Sequence, residues 1–293
     1  MEKLTVKAPA KINLYLDVVG RRNDGYHDIL SIMQTVSLCD EIELALTDHG
    51  IKLDCGDSSL TSGESNLAYR AARLFLDYTG ANVGVDMRLT KRIPMQAGLG
   101  GGSSDAAAVL RGLNRLCGRP LDAEKLCRLG AKLGADVPFC VIGGCACVGG
   151  IGERVEPLPT VPQCTVVICC PTERISTPWA YGELDRIYGG FRGERQDGGR
   201  FQNMRRALDT SQTENFCKFT YNIFEYVTVG RGDIHSIRLT MREHGAACAM
   251  LSGSGPSVFG IFDNERQARL CAGALAASWD AVHVCVPTAA NDI

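Results

Sequence analysis

One stretch limits what this chain can fold into more than any other: Pro94-Met-Gln-Ala-Gly-Leu-Gly-Gly-Gly-Ser-Ser-Asp105. Four glycines, Gly98, Gly100, Gly101 and Gly102, free the backbone to curl. Apolar residues then recur at helical spacing, at Ala106, Val109, Leu110, Leu113 and Leu116, and Ser103 is the expected N-cap of that helix. A glycine-rich turn that feeds a helix offers unpaired N–H groups at the positive end of the helix dipole, which makes an anion site. The hydroxyls of Ser103 and Ser104 are candidates for donating to a phosphate or for binding its Mg²⁺. The plain alternative is a flexible loop that happens to precede a helix.

Other phosphate-binding patterns are missing. There is no G-x-x-x-x-G-K-[ST] and no Gly-Lys dipeptide, so the chain is not a P-loop NTPase. The His-Arg-Asp and Asp-Phe-Gly signatures of protein kinases are missing too.

A length of 293 residues suggests two domains. Pro157, Pro159 and Pro162 mark the expected boundary, giving residues 1–158 and 159–293. The 31 basic and 33 acidic side chains leave a net charge of −2, which argues against a nucleic-acid partner. No membrane segment is expected: the uncharged run from Val137 to Gly152 is too short to span and reads as strand, turn and strand. Lys7, Lys11 and Asp17 interrupt any apolar signal region. The 14 cysteines include no C-x-x-C pair and sit mostly in apolar runs, as buried small hydrophobes of a cytoplasmic protein.

Elsewhere the periodicity predicts an α+β chain. Ile12, Leu14, Leu16 and Val18 alternate with Lys11, Asn13, Tyr15 and Asp17, the pattern of a half-buried strand with Lys11 and Asn13 on one face. Val83, Val85, Met87 and Leu89 suggest a second strand, and Leu67, Ala71, Leu74, Phe75 and Tyr78 a helix stopped by Gly80. A further helix is expected from an Asp122 N-cap to Gly134. Cys164–Cys170 and Ala281–Val286 read as strands, and Met250–Phe262 as a strand pair around Ser252-Gly-Ser-Gly255. The Gly- and Arg-rich segment from 189 to 200 reads as a mobile surface loop.

Pro94–Ala107 resembles the phosphate loop of the GHMP kinases (galactokinase, homoserine kinase, mevalonate kinase and relatives). Lys7-Ala-Pro-Ala-Lys-Ile-Asn13, Gly20-Arg-Arg-Asn-Asp-Gly-Tyr-His27, Leu133-Gly-Ala-Asp-Val-Pro138 and Leu251-Ser-Gly-Ser-Gly255 extend the resemblance from Lys7 to about Phe262. They narrow it to the branch whose acceptor carries a cytidine diphosphate group.

The resemblance implies a two-domain α+β GHMP kinase fold, with an ATP-binding N-terminal domain, a smaller C-terminal α+β domain and the active site between them. It implies transfer of the γ-phosphoryl group of ATP, with Mg²⁺, to a 2-hydroxyl of an erythritol moiety in the non-mevalonate route to isoprenoid precursors. Asp136 and Lys11 would be catalytic. Pro94, Met95, Gln96, Ala97, Gly98, Leu99, Gly100, Gly101, Gly102, Ser103 and Ser104 would hold ATP, with Asn66 and Lys91. Asn13, Tyr26, His27, Thr177, Tyr181, Gly253 and Ser254 would hold the acceptor, with its cytosine on Tyr26 and His27 and sandwiched by Tyr181. No metal ligand is assigned beyond Ser104 as a candidate for Mg²⁺. A monomer or weak homodimer is expected. The alternatives are a homoserine- or mevalonate-type kinase and a non-catalytic nucleotide-binding member.

Each of these residues also has an ordinary structural reading. Asp136 could cap a turn, Lys11 snorkel to water, Tyr26 pack on the core, Asn66 cap a helix and Lys91 lie exposed at a strand end.

Overall fold

The computed structural model describes residues 3–56, 61–189, 199–209 and 212–292. In chain order the first half runs β1 (Lys3–Arg21), β2 (His27–Thr47), β3 (Ile51–Asp54), α1 (Leu67–Thr79), β4 (Gly84–Thr90), α2 (Gly101–Leu116), α3 (Ala123–Ala131) and α4 (Val137–Ile142), then β5 (Cys145–Gly150) and β6 (Arg154–Leu158). The second half runs β7 (Thr165–Cys170), α5 (Thr177–Tyr188), α6 (Arg200–Leu208), α7 (Thr213–Cys217), β8 (Tyr221–Asn222), α8 (Gly232–Glu243), β9 (Cys248–Leu251), β10 (Val258–Phe262), α9 (Glu265–Ala276) and β11 (Ala281–Cys285).

β1 and β2 form one long antiparallel hairpin, paired from Lys3 against Ala45 to Arg21 against His27, with register shifts beside Lys11 and Asn13. Around it a seven-stranded sheet is ordered β3-β4-β2-β1-β8, with β5 and β6 continuing from the other half of β2. A four-stranded antiparallel sheet, β11-β7-β10-β9, is drawn from residues beyond 164.

β1 departs from the half-buried expectation: Lys11 is 4% exposed, Asn13 1% and Asp17 3%. On one face Val6, Ala8, Leu16 and Val18 join a core with the helices α1 and α2. On the other, Ile12, Leu14 and Tyr15 pack with Val166, Ile168, Phe201, Met204 and Phe259 from the second half of the chain. The expected common face of Ile12, Leu14, Leu16 and Val18 is therefore broken: the register shift between Asn13 and Tyr15 interrupts the alternation, and a second layer covers the strand on both sides.

Several local expectations shift. The run from Val137 is a helix turn before it is a strand: α4 starts with Pro138 in its first turn, and Gly143 and Gly144 at positive φ end it before β5. Pro has no N–H for a sheet ladder, which a purely apolar reading overlooks. α3 begins at the Asp122 cap, whose carboxylate accepts from Lys125 N–H at 2.8 Å, but it ends at Ala131, short of Gly134. Val83 lies outside β4 and is exposed, as is Tyr78 on α1. The segment from 190 to 198, read as a surface loop, falls outside the described residues. None of the 14 cysteines forms a disulfide among the described residues, and nine are buried. No helix among the described residues is long and apolar enough to cross a membrane.

Candidate active site

The glycine-rich loop connects β4 to α2. Gly100, not Ser103, is the N-cap of α2: it stands at φ 70°, left-handed, and Ser103 lies inside the first turn. A glycine takes this conformation without the steric cost a Cβ brings. The loop then turns sharply enough to aim the first N–H groups of α2, which have no intrahelical acceptor, out of the helix end. Gln96 also has positive φ, 54°, and its side chain accepts from the Arg174 guanidinium at 3.1 Å.

Lys11 runs alongside this loop. Its backbone N–H donates to the Leu99 carbonyl at 2.9 Å. A Cβ at Gly100 would lie 2.9 Å from Lys11 Cγ, so the absent side chain leaves the groove that the lysine stem fills. The ammonium donates to Asn13 Oδ1 at 2.8 Å, Asn13 Nδ2 to Ser31 Oγ at 2.9 Å, and Ser31 Oγ to the Tyr15 carbonyl at 2.7 Å. This buried relay fixes the Lys11 head rather than letting it snorkel. Nζ lies 3.7 Å from Asp136 Oδ2.

Asp136 occupies the N-cap position of α4, but its side chain makes no capping hydrogen bond and is 31% exposed. The carboxylate is thus positioned by the helix start without being consumed by it. The end of α4 is held in turn by Arg111 of α2, which donates to the carbonyls of Cys140 and Lys7.

From the other side, the Ser252–Gly255 turn between β9 and β10 closes on the loop. Ser252 Oγ donates to the Gly98 carbonyl at 3.1 Å and Ser257 N–H to the Ala97 carbonyl at 3.3 Å. Asn222 Nδ2 holds the turn through the carbonyls of Leu251 and Gly253. A Cβ at Gly253 would lie 3.3 Å from Lys11 Nζ, so this turn approaches the ammonium closely. Ser254 Oγ shares a 2.9 Å hydrogen bond with Thr177 Oγ1, the first residue of α5.

α5 also carries Tyr181. Its ring stacks on His27 with centroids 4.8 Å apart and meets Phe224 edge-on at 4.9 Å. Burial pushes the Tyr181 phenol up, and the nearby Asp136 carboxylate adds to the rise. Tyr26, beside His27 in the chain, is 61% exposed, at the tip of a turn in which its N–H donates to Asp24 Oδ1 at 3.0 Å. The hairpin tip therefore offers an uncovered aromatic beside a buried imidazole, not a Tyr packed on the core.

The expectation for Ser104 needs correction, and Asn66 and Lys91 are engaged by the protein itself. Ser104 is fully buried and donates to the Pro9 carbonyl at 2.7 Å, so its hydroxyl faces the core and not a metal; Ser103 is the more exposed of the pair. Asn66 is engaged as the α1 N-cap, accepting from Ala68 N–H at 2.9 Å and donating to the Thr61 carbonyl at 2.8 Å. Lys91 is no exposed strand-end lysine. It is paired with Asp40 and, at 2.7 Å, with Asp105, directly under the first turn of α2. Among the described residues no group of three or more His, Cys, Asp or Glu side chains could hold a metal ion.

Burial lowers the affinity of Lys91 for its proton, but the two carboxylates outweigh it, so its pKa rises. Burial pushes the Asp105 carboxyl up to about 7, with Lys91 pulling it back and Asp40 adding to the rise. Because the folded chain holds that proton more tightly than the unfolded chain, the contribution to stability is present in acid and lost as pH rises through about 7. Stability from this group should therefore fall between pH 5 and pH 8. Asp105→Asn should flatten this part of the profile: urea unfolding at the two pH values should differ less in the variant, and an unchanged difference would remove Asp105 as the titrating group.

The residues that spacing misses share one cause. Asp40, Ser31, Asp185 and Asn222 act by touching partners far along the chain, and no local pattern announces Asp40, Ser31 or Asn222. Only Asp185 carries a signal: it follows Thr177 and Tyr181 at intervals of four on one helix face.

The family models place this geometry among known proteins. The GHMP kinases N terminal domain matches residues 66–144, and GHMP kinases C terminal matches residues 234–281. A 4-diphosphocytidyl-2-C-methyl-D-erythritol kinase from Geobacter metallireducens is 44% identical over 96% of both chains. One from Bacillus subtilis is 42% identical over 90% of this chain and 89% of its own. A crystal structure of 4-(cytidine 5'-diphospho)-2C-methyl-D-erythritol kinase, 34% identical, superposes with a TM-score of 0.78 over 97% of this chain and 99% of that one. A homoserine kinase from Cytophaga hutchinsonii, at 20% identity and a TM-score of 0.76, shares the fold over 99% of this chain and 95% of its own. The chain belongs to the 4-diphosphocytidyl-2-C-methyl-D-erythritol kinase family of the GHMP kinases.

Proposed function

We propose that this chain transfers the γ-phosphoryl group of ATP to the 2-hydroxyl of 4-diphosphocytidyl-2-C-methyl-D-erythritol, within the non-mevalonate route to isoprenoid precursors. The observation that carries the reading is the buried Lys11 ammonium, 3.7 Å from an uncapped Asp136 carboxylate and packed against the glycine loop. Phosphoryl transfer needs little covalent help from protein. It needs aligned reactants, stabilised charge and a carboxylate for the hydroxyl proton.

ATP would lie on residues 94–104 with its phosphates at the α2 N-terminus, and Mg²⁺ would come with it to neutralise phosphate charge. The fit rests on the loop glycines and on the free first-turn N–H groups. Asp136 accepts the hydrogen bond of the acceptor hydroxyl and its proton as the new P–O bond forms and the bridging bond between the γ-phosphorus and ADP breaks, with ADP leaving. Lys11 sets positive charge beside that carboxylate and the transferring group. Asn13 orients Lys11, and the Ser252–Gly255 turn excludes water from its far side.

Tyr26 and His27 would receive the cytosine, with Tyr181 backing the imidazole. Thr177, Gly253 and Ser254 would line the path from base to hydroxyl. The two lobes meeting here would divide near residue 158. An acceptor of the homoserine or mevalonate type has no use for an exposed Tyr26 beside a buried His27, and a retired site has no physical need of an oriented lysine.

An ADP-release assay with ATP, Mg²⁺ and the cytidyl acceptor, run beside homoserine and mevalonate, tests the reading. Turnover confined to the cytidyl acceptor supports it; turnover with either other alcohol alone overturns it. Tyr26→Ala should raise the acceptor KM roughly tenfold, the scale of one lost base stack, and leave kcat within about threefold. An unchanged KM would take the ring out of the site.

A further inference from the structure

Thr35 is the point where three segments meet behind the Lys11–Asp136 pair. In the β1–β2 hairpin Pro9 is paired with Cys39 and Lys11 with Thr35, so Ala10 alone faces Val36, Ser37 and Leu38. A bulge of this kind leaves backbone groups without a partner in the ladder. The segment that follows β11 supplies those partners. Ser37 N–H donates to the Val286 carbonyl at 2.8 Å, Val286 N–H to Ser37 Oγ at 3.0 Å, and Thr288 N–H to the Thr35 carbonyl at 2.9 Å. Val36 and Pro287 form an antiparallel bridge between them. Residues 286–288 therefore lie as a strap across the bulge.

The same threonine holds the far end of α4. Thr35 N–H donates to the Gly144 carbonyl at 2.9 Å, and Gly144 N–H donates to Thr35 Oγ1 at 2.9 Å. α4 is six residues long, so this tie stands about two helical turns from Asp136. Thr35 is fully buried and its hydroxyl is saturated. It accepts from Gly144 N–H and, at 2.8 Å, from Thr288 Oγ1, and its own hydrogen points to the Thr288 carbonyl at 3.3 Å. Gln34 Nε2 clamps the join by donating to the carbonyls of Thr35 and Thr288, each at 2.8 Å. The fit is close as well as polar, because a Cβ at Gly144 would lie 3.0 Å from the Ala290 nitrogen.

We propose that Thr288 is a positioning residue for phosphoryl transfer: through Thr35 it locks β2, where it pairs with Lys11, to the end of α4, and so holds Lys11 and Asp136 at their separation. At 3.7 Å no hydrogen bond joins the ammonium to the carboxylate, so the elements that carry the two groups must set their spacing. Lys11 comes from β1 and Asp136 from α4, and Thr35 touches the backbone of both elements or their direct continuation. The kinetic side of this inference rests on the phosphoryl transfer proposed above, whereas its structural side does not.

The test uses two measurements on the full chain. Thr288→Val keeps the shape but removes the hydroxyl, and its methyl group cannot approach Thr35 Oγ1 to 2.8 Å, so the strap must back away. Arg111 still joins α4 to the Lys7 carbonyl, which limits the shift. In steady-state ADP release, kcat should fall about tenfold, part of the roughly 10² that a 1 Å misplacement costs, while KM for ATP and for the cytidyl acceptor stay within about twofold. Thr288→Ser, which restores the donor, should recover most of the loss. A wild-type kcat in Thr288→Val, a rise in either KM as large as the fall in kcat, or no recovery in Thr288→Ser would overturn the proposal. The second measurement is amide hydrogen exchange without substrate. Thr288→Val should speed exchange at Thr35 and Gly144 by about tenfold and leave the amides of α2 as in wild type. Unchanged exchange at both positions, or an equal rise throughout the chain, would likewise overturn it. If the local exchange pattern appears while wild type turns over no cytidyl acceptor, the grip of the strap on the pair is supported and the proposed acceptor is the part that fails.

Discussion

Asp136→Asn should lower kcat by a factor of about 10²–10⁴, the range a positioned proton acceptor supplies, while ATP binding stays within about twofold of wild type. The separation between the two effects comes from the structure. The loop that would hold ATP is built from backbone N–H groups at the α2 end, whereas Asp136 stands at the start of α4 and faces the loop across Lys11. Asn keeps the shape and the N-cap position but cannot take a proton. The stability change should be small, because the Asp136 side chain makes no capping bond and is partly open to solvent. Lys11 retains its 2.8 Å bond to Asn13, so the ammonium is not left bare. Steady-state ADP release and a separate ATP titration would measure both quantities. A variant with wild-type kcat would show that Asp136 does not handle the hydroxyl proton, and a variant that also loses ATP would show that the carboxylate shapes the loop instead.

The glycine loop, the α2 stripe, the Asp122 cap and the β9–β10 pair are legible in the sequence because each is local: the residues that make them lie within one or two turns of each other. Alternation places Lys11 and Asn13 on one face, and the structure joins them by a hydrogen bond. What alternation cannot supply is the cover over the opposite face of β1, which turns Lys11 from a surface lysine into a buried one. Ser104 shows the same limit. Its hydroxyl type suggests a phosphate or metal contact, but the direction of its side chain is set by α2 packing over β1, which points it at Pro9. Lys91 is underestimated by local spacing because its two carboxylates arrive from β2 and α2, 51 and 14 residues away. Asp185 lies 158 residues from the histidine it holds.

The other large effect should come from a single added methyl group. Gly98 stands at φ 76°, and a Cβ there would overlap the Ser252 carbonyl oxygen and lie 3.0 Å from that of Gly255. Both obstacles are backbone, so neither can rotate away. Gly98→Ala must push the Ser252–Gly255 turn off the loop, breaking the Ser252 to Gly98 bond and drawing Gly253 away from Lys11. A displacement near 1 Å at reacting groups costs roughly 10² in rate, and kcat/KM should fall by about that factor. Left-handed strain alone costs about 1–2 kcal/mol for a non-glycine residue, so a control must carry the strain without the collision. Gly118 supplies it: its φ is 77°, and a Cβ there would meet nothing within 4 Å. Gly118→Ala should therefore lose stability of that order and keep its kcat/KM, whereas Gly98→Ala should lose both. If the two variants proved equally active, the approach of the turn to the glycine-rich loop would have no part in catalysis, and the lobes could separate there without consequence.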